Sequence, residues 1–469
     1  MVQLLVILNI FFVSFADKPT QAIPALSPRA IEQRAKWKIA IDELDYPVSA
    51  AYLDSLRQYG ATICHTSRWM NGATCSMTDE QAAAVASLPF VTDVEATRLD
   101  HSNQQSAISK CRSMPATYLL TNRAQDELPT DAQLALYNIQ PLHKMGYHGQ
   151  GILITVCDGG FTNANTLSCF RQEQELGHFD FTDDADDFYG YTGTHGSLCL
   201  SSISGKTDEY IGAATAANYY LMRSEEAETE SPKEMDNLVA ALEKADSLGT
   251  NIFSVSLGYA MFDNEEWTLT HNALDGKTTR ASSAALIAAR KGMLVCVAAG
   301  NEGNKPWEKL SVPADADSIL SIGAVDVLGV IGSFSSHGPS ADGRVKPEVC
   351  AVGVSAALID ANDEIVYRNG TSFATPLIAG MAATLWSALP DENAMQIRER
   401  IIRSADRYQN PDALQYGYGI PNAYAAYLGR TTTIDNITAT KRTVKYIVGN
   451  TLYILHDGKT YDTMGRVTR

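Results

Sequence analysis

The sequence lacks several features that would each point to a particular class of protein. Its 469 residues carry a net charge of −17 and no long run of lysine or arginine, so nucleic acids and anionic membranes are poor candidate partners. Its eight cysteines are scattered without metal-ligand spacing. Beyond the N-terminus, no stretch reaches about 18 uninterrupted apolar residues, so we expect a soluble mature protein without a membrane span.

The N-terminus carries one short apolar run. Residues 4–16 are largely apolar and end in Ser14-Phe15-Ala16, which resembles a secretory signal with a small-residue cleavage site. The preceding Met1-Val2-Gln3 lacks the basic side chain that is usual in such signals. A buried N-terminal strand is the alternative. We favour a signal peptide over residues 1–22, and therefore export.

Residues 36–97 show strand-like and helix-like segments in the order βαββαβ, which is that of a small ferredoxin-like domain. Its first strand is predicted at Trp37–Ile41. Two more strands flank Asn71-Gly72. If their turn centres on Trp69-Met70, Cys64 and Cys75 face each other, and if Asn71-Gly72 forms a two-residue turn they do not. The sequence therefore does not decide whether Cys64 and Cys75 form a disulfide.

The remainder of the chain divides into a linker and a larger domain. Residues 98–130 are polar and irregular, as expected of a linker that proteases can reach. Residues 131–145 predict one amphipathic helix. From Gly151 onward, apolar strands alternate with helices, which indicates a parallel sheet covered on both faces. Sites in such sheets lie at the carboxyl ends of strands, and Asp158, Gly258 and Asn301 follow three of them.

A second apolar run follows the small residues Asn369-Gly370-Thr371-Ser372. Residues 373–389 are almost wholly apolar, which predicts a helix buried on all sides, with Pro376 in its first turn. Ser372 would lie at the helix N-terminus, where unpaired N–H groups and the positive end of the dipole favour an anion forming beside it. The alternative is an ordinary N-cap serine on a core helix.

A serine hydroxyl becomes a useful nucleophile only with a base and a carboxylate that orients the base. His195 lies at a predicted helix start between small residues, which keeps its ring accessible. Asp158 ends a buried strand and must be paired or solvated. The side-chain amide of Asn301 could donate to an oxyanion. Each residue alone has an ordinary structural explanation, but these three together with Ser372 are far more specific.

On these motifs the chain resembles the subtilisin-like serine proteases, or subtilases, over roughly residues 130–428. The order Asp, His, Ser is that of this family. An α/β-hydrolase is disfavoured because Ala374 stands where the G-x-S-x-G elbow requires glycine. The matching stretches are Val156–Phe161, His195–Gly205, Ser256–Gly258, Ala298–Gly303, Ser333–Pro339, Asp342–Glu348 and Asn369–Gly380.

The resemblance implies a fold and a set of roles. The fold is a three-layer α/β/α arrangement with a mostly parallel sheet, preceded by a ferredoxin-like α+β propeptide and followed by a small β-rich tail. Ser372 attacks the scissile carbonyl, His195 takes its proton and Asp158 orients His195. The Asn301 side chain and the Ser372 N–H hold the oxyanion. The implied substrate-binding residues are Ser256, Leu257, Gly258, Ala298, Ala299 and Gly300.

One departure from the family pattern lies beside the carboxylate. The family usually has Ser or Thr after the catalytic Asp, and here Gly159 removes that hydroxyl.

The tail resembles the short C-terminal segments that direct secretion of exported Bacteroidetes-type proteases. The predicted divisions are a signal peptide at 1–22, a propeptide-like domain at 30–100, a linker at 101–130, a catalytic domain at 131–428 and a tail at 431–469.

The resemblance also implies the cofactors and partners. The chemistry requires no cofactor, and no metal ligand is assigned. Subtilases often bind structural calcium, and hard oxygen ligands suit it, but we favour a solvated acidic loop for the cluster at 180–187. The expected partners are protein or peptide substrates and the chain's own propeptide, on a secreted or surface protein of a bacterium. The alternative function is a catalytically idle binding protein, which the intact set of four residues disfavours.

Overall fold

The computed structural model describes residues 8–19, 22–99, 128–182, 187–190, 193–226 and 229–431, and the backbone of residues 114–115 and of three C-terminal strands. No helix within these ranges has the length and apolarity needed to cross a bilayer. The N-terminal domain consists of β1 (Asn9–Phe15), α1 (Pro28–Trp37), α2 (Ala50–Gln58), β2 (Thr62–Ser67), β3 (Gly72–Met77), α3 (Asp79–Ala86) and β4 (Val91–Arg98).

The N-terminal sheet has the strand order β2-β3-β1-β4, with every neighbouring pair antiparallel. Together with α2 and α3 this is the predicted ferredoxin-like arrangement. Its core joins apolar residues of the sheet to Leu56 of α2 and Val85 of α3. Helix α3 begins with a capping box, in which Thr78 Oγ1 accepts a hydrogen bond from Gln81 N at 3.2 Å.

The first strand of this domain is not where the sequence predicted it. Trp37 is the last residue of helix α1, and residues 38–41 follow the helix without forming a strand. The N-terminus of α1 is capped by Ser27 and carries Pro28 at its first position. The first strand is β1, and it pairs with both β3 and β4. The assignment of residues 1–22 to a signal peptide is therefore wrong for residues 9–15, which form the buried N-terminal strand that was the alternative.

The β2–β3 hairpin settles the arrangement of its two cysteines. The turn spans Arg68–Asn71 and therefore centres on Trp69-Met70. The register nevertheless shifts between Ile63 and His65, so Cys75 lies opposite Ile63 and the cysteines do not pair. Cys75 is a buried free thiol.

The larger domain follows strand β5 (Met114–Pro115). Its elements are α4 (Asp131–Leu136), α5 (Gln140–Lys144), β6 (Leu153–Asp158), β7 (Glu175–Asp180), α6 (His195–Ser204), β8 (Asn218–Arg223), α7 (Lys233–Leu248), β9 (Ile252–Val255), α8 (Arg280–Arg290), β10 (Leu294–Ala298), β11 (Leu320–Val325), β12 (Val349–Val352), β13 (Ala356–Ile359), β14 (Ile365–Asn369), α9 (Thr371–Ala388), α10 (Ala394–Arg403) and α11 (Ala423–Tyr427). The single helix predicted at 131–145 is interrupted, because Asn138 adopts a left-handed conformation with φ of +52°.

The central sheet has the strand order β12-β11-β10-β9-β6-β8-β7, and all neighbouring strands are parallel. Strand β6 shows why both faces are covered: Ile154 and Val156 pack into the core formed with α6 and α9, whereas Cys157 packs into the core formed with α7 and α8. This confirms the predicted three-layer α/β/α fold.

The N-terminal domain packs on the α7 and α8 layer through buried polar contacts. Arg34 and Arg68 each lie 2.7 Å from a carboxylate oxygen of Asp246 at the end of α7. Glu243 accepts hydrogen bonds from Ser67 Oγ at 2.6 Å and from the backbone N–H groups of Arg68 and Trp69. Because these charges are paired in the interface, either domain alone would leave several of them without their partner.

The C-terminal tail forms a three-stranded antiparallel sheet of β15 (Val444–Val448), β16 (Thr451–His456) and β17 (Lys459–Asp462). The β-rich tail is therefore confirmed at the level of the backbone. Residues 457–458, between β16 and β17, lie outside the described residues.

Candidate active site

Parallel pairing brings the predicted site residues to one edge of the central sheet. Asp158 is the last residue of β6, Ser256 follows β9 and Asn301 follows β10, and these three strands are consecutive neighbours in the sheet. Helix α6 begins at His195 and α9 at Thr371, the residue before Ser372. The carboxyl ends of parallel strands and the N-termini of helices that follow them meet at the same edge, where α/β proteins place their sites.

Asp158 and His195 are joined by a short hydrogen bond, in which Asp158 Oδ1 lies 2.7 Å from His195 Nδ1. Asp158 is fully buried, and its Oδ1 also accepts from the N–H of Gly159 at 2.8 Å. Its Oδ2 is buried and has no hydrogen-bond partner among the described residues. The neighbouring Gly159 supplies no hydroxyl, whereas the family usually has Ser or Thr at this position.

The close approach of α6 to β6 depends on Gly196. A Cβ atom at that position would lie 2.5 Å from the carbonyl oxygen of Gly160 and 2.9 Å from Asp158 Cβ. Any larger residue would push the first turn of α6 away from the strand. The small residue beside His195 therefore sets the distance between the imidazole and the carboxylate.

The pKa of His195 is raised well above its ordinary value. Burial favours the neutral imidazole and lowers the pKa, but the Asp158 carboxylate 2.7 Å away favours the imidazolium and outweighs burial. The Cys199 thiol lies one helical turn further on, with Sγ 3.8 Å from His195 Nδ1. Burial raises the pKa of Cys199, which keeps it a neutral thiol beside the imidazole.

Ser372 is the second residue of α9, and the helix is buried from Thr371 to Trp386 as predicted. Pro376 is the sixth residue, so it lies in the second turn and not in the first as expected. A residue with an N–H at that position would donate to the Ser372 carbonyl oxygen. That oxygen instead accepts from Ser256 Oγ at 2.8 Å and from Cys199 Sγ at 3.4 Å. Proline therefore frees the backbone of Ser372 to be held by β9 and α6.

The Ser372 hydroxyl points along the cleft in this resting arrangement. Its Oγ donates to the carbonyl oxygen of Ser256 at 3.2 Å, and the residue is 6% exposed. Between the described side chains of Ser372 and His195 there is no hydrogen bond. Rotation about the Cα–Cβ bond of Ser372 is the movement that would bring Oγ to the imidazole, and such bonds often form only when substrate binds.

Asn301 is anchored to the start of α9. Its Oδ1 accepts from both the N–H and the hydroxyl of Thr371, at 2.9 and 3.0 Å. The amide orientation is thereby fixed, with Nδ2 as the donor branch. The preceding Gly300 has φ of +111°, and a Cβ there would lie 2.7 Å from Ser336 Oγ, so the loop requires glycine.

These residues line one cleft of about 350 Å³. Ala299, predicted to bind substrate, does not line it: its side chain lies in the core, its N–H donates to Ile322 and its carbonyl accepts from Ser311. The predicted residues that do line the cleft are Asp158, His195, Ser256, Leu257, Gly258, Ala298, Gly300, Asn301 and Ser372. Those that sequence reasoning missed include Glu225, Glu226, Glu230, Glu302 and Lys305.

Comparison with known proteins decides the family. The family model described as the subtilase family matches residues 149–419, which is more than half of the chain. The chain belongs to the subtilase family. It is accordingly a serine-type endopeptidase, as the motifs predicted.

Individual relatives agree with this assignment. This subtilase is 25% identical to subtilisin E of Bacillus subtilis strain 168 over 392 residues, which is 81% of this chain and 86% of that protein. It is 26% identical to a thermostable alkaline protease of Halalkalibacterium halodurans over 292 residues, 62% of this chain and 71% of the relative. The solved structure of the MycP3 protease from the type VII (ESX-3) secretion system has the same fold, with a TM-score of 0.52 at 20% identity, covering 67% of this chain and 95% of that one.

A second family model identifies the N-terminal domain. The model described as a peptidase S8 propeptide domain of Bacteroidota matches residues 10–111 of the subtilase. The match confirms the predicted propeptide domain and begins within β1, whereas the sequence had placed the domain start at residue 30. The apolar strand thus belongs to the propeptide by both comparison and structure.

The acidic cluster at 180–187, for which we favoured a solvated loop over a calcium site, has two aspartates in the described part of the chain. Asp180 pairs with Arg223, and Asp187 accepts within its own turn from Tyr189 N, while residues 183–186 lie outside the described part of the chain. Elsewhere in the described ranges of the subtilase, ligand atoms of Glu225, Glu230 and Glu234 lie within 4.8 Å of one another. These three carboxylates could supply part of the shell of six to eight oxygens that calcium takes.

Proposed function

We propose that this subtilase cleaves peptide bonds through an acyl-enzyme, with Ser372 as nucleophile, His195 as general base and Asp158 as the carboxylate that orients it. The observation that carries the proposal is the 2.7 Å contact between His195 Nδ1 and Asp158 Oδ1 in the cleft that Ser372 also lines. With Nδ1–H held by Asp158, the lone pair of His195 is on Nε2, where a base needs it.

The reaction begins when Ser372 Oγ rotates from the Ser256 carbonyl to His195 Nε2. Oγ bonds to the scissile carbonyl carbon while its proton moves to Nε2, and the imidazolium is stabilised by Asp158. The carbonyl oxygen, now an anion, accepts hydrogen bonds from Asn301 Nδ2 and the Ser372 N–H. Nε2–H then protonates the leaving amine as the C–N bond breaks. Water repeats the sequence on the ester and releases the acid.

The propeptide is proposed to block this cleft until it is removed. Three contacts support this role. Arg98, the last residue of β4, lies 3.8 Å from Glu226 in the cleft wall. The buried contacts of Arg34 and Arg68 with Asp246 hold the domain on α7. N-terminal sequencing of the active form tests processing, since an active enzyme that still begins within β1 would contradict it.

We propose further that the protein is exported from a bacterial cell, as the Bacteroidota-type propeptide supports. The strands β15–β17 are the candidate sorting segment. Deleting residues 431–469 is expected to retain the protein in the cell. If the truncated protein reaches the medium as readily as the full chain, this part of the proposal is wrong.

A fluorophosphonate probe tests the proposed nucleophile. Wild type is expected to gain one adduct, mapped to Ser372, after the propeptide is removed, whereas Ser372→Ala remains unlabelled. Equal labelling of the two would exclude Ser372 as nucleophile. No labelling of the processed wild type would favour the alternative of an idle binding protein.

A further inference from the structure

The cleft carries an excess of negative charge on the side away from Asn301. Along the sheet edge the order is β10, β9, β6, β8, so the segment after β8 continues the cleft beyond Asp158. Ser224 N donates to the Asp158 carbonyl at 3.3 Å and fixes this segment against β6. Glu225 and Glu226 follow directly, and with Glu230 they line the cleft. We call these three residues the acidic wall. The wall is therefore part of the surface along which a bound peptide would run.

The acidic wall is held in place by the structure around it. Glu225 accepts from the Tyr259 hydroxyl at 2.7 Å, and Glu226 Oε1 contacts the buried Lys233 ammonium at 2.5 Å. The neighbouring Glu234 accepts from the N–H of Glu226 at 2.8 Å. Lys305, the lysine that lines the opposite part of the cleft, pairs with Glu302 at 2.8 Å. A cationic side chain that entered the cleft would thus meet fixed carboxylates at the wall.

The propeptide already places a cation at this wall. Arg98 Nη1 lies 3.8 Å from Glu226 Oε2, the oxygen opposite the one that contacts Lys233. Arg98 comes from a separate domain and is 28% exposed, so its guanidinium reaches the wall from outside the catalytic domain. This contact comes from another domain, and it shows that a guanidinium can approach the wall.

The order of the domains along the chain indicates on which side of the scissile bond the cationic residue lies. Arg98 precedes the whole catalytic domain, so any cut that separates the two domains leaves Arg98 on the acyl side of the broken bond. We propose that the acidic wall is a subsite for an arginine or lysine side chain N-terminal to the scissile bond, and that Arg98 occupies it in the unprocessed chain. This inference rests on the proposed endopeptidase function and adds a substrate class to it.

Peptide pairs that differ by arginine or citrulline test the subsite, because citrulline keeps the shape and removes the charge. In each pair the residue is placed in turn at the first four positions on the acyl side. For processed wild type, the kcat/KM ratio of arginine to citrulline peptide is expected to be about tenfold at one position, the scale of one charged hydrogen bond. The ratio should fall as salt is added, since the contact is partly exposed.

Substitutions assign the effect to the wall. In Glu226→Gln the ratio is expected to fall to about twofold or less. Because Glu226 also neutralises buried Lys233, Glu225→Gln is the second variant, which removes a cleft charge without leaving that lysine unpaired. Glu399→Gln, an exposed charge change on α10, is the matched control and should keep the wild-type ratio. Using a ratio cancels any loss that affects both peptides equally.

Three results would overturn the subsite. They are a ratio near one at every position in wild type, a ratio retained in both wall variants, or calcium protection against heat that is present in wild type and lost in Glu225→Gln. The last would mean that the carboxylates hold a metal ion. Failure of the proposed function itself is distinct, because then neither peptide of any pair is cleaved and Ser372 takes no fluorophosphonate.

Discussion

Restoring a hydroxyl at position 159 tests how the orphan oxygen of Asp158 affects the site. Oδ2 of this fully buried carboxylate has no partner among the described residues, whereas Oδ1 has two. Gly159→Ser would add a donor one residue away. The new Cβ would lie 3.4 Å from Glu225 Cβ and 3.6 Å from its Cγ, which is ordinary van der Waals contact. The site therefore has room for serine.

The magnitude follows from the chemistry of the acceptor. A hydrogen bond to a charged group contributes about 1.5–3 kcal/mol, and part of that is offset by ordering the new side chain. Replacing glycine also reduces the entropy of the unfolded chain by about 0.4–1 kcal/mol. Gly159→Ala has the same effect on the unfolded chain but adds no hydrogen bond to the carboxylate. We therefore expect Gly159→Ser to be about 1–2 kcal/mol more stable than Gly159→Ala.

The same substitution should change the pH profile. A donor on Oδ2 withdraws negative charge from Asp158, which lessens the carboxylate's hold on the imidazolium and lowers the pKa of His195. The acid limb of kcat/KM should therefore move to lower pH in Gly159→Ser and not in Gly159→Ala. Denaturant unfolding and a pH series provide the two assays. Equal stability and superimposable acid limbs for the two variants would refute the reasoning.

Three further predictions concern the base, the propeptide and the helix. Because the pKa of His195 is raised and the base must be neutral, the acid limb of wild-type kcat/KM should lie above pH 6.5, and a limb below that value would contradict the account. Glu243→Ala leaves Ser67 Oγ and two N–H groups without their acceptor, so the propeptide should leave the processed complex at least about 100-fold faster, measured as the rate at which activity appears, with Glu399→Ala as control. Pro376→Ala supplies an N–H to the Ser372 carbonyl in competition with Ser256 and Cys199, so kcat should fall about tenfold without loss of melting temperature. An unchanged kcat would show that the freed carbonyl does not position Ser372.

The site residues that could be predicted from the sequence are those with a distinctive local pattern around them. Asp158 ends a buried strand and Ser372 begins a buried helix, and parallel pairing then brings both to one edge of the sheet. Strand β1 was misassigned because a short apolar run satisfies both a signal peptide and a central strand, and only its pairing partners distinguish the two. The acidic wall was missed although Glu225 follows the carboxyl end of β8, because a run of glutamates is more often a solvated loop.

The role of Pro376 could not be read from the sequence either. A proline near a helix start is expected in the first turn of the helix. The turn that Pro376 occupies depends on the residue at which α9 begins, and Gly370 is the N-cap. Likewise, Ala299 belongs to a motif that lines the cleft, but the burial of its side chain depends on packing against residues distant in sequence. Both errors have the same cause. The local sequence pattern identifies the segment, but tertiary contacts between distant residues determine which side chains are buried and which face the cleft.

The central claim is that Ser372 and His195 act as one catalytic unit. The most direct measurement is kcat on a peptide substrate for processed wild type, Ser372→Ala, His195→Ala and the double variant. We expect each single substitution to lower kcat by about 10⁶-fold, the scale seen in subtilisin, and the double variant to be no slower than either single one. Losses that multiply in the double variant, or a Ser372→Ala enzyme that retains substantial activity, would contradict the account.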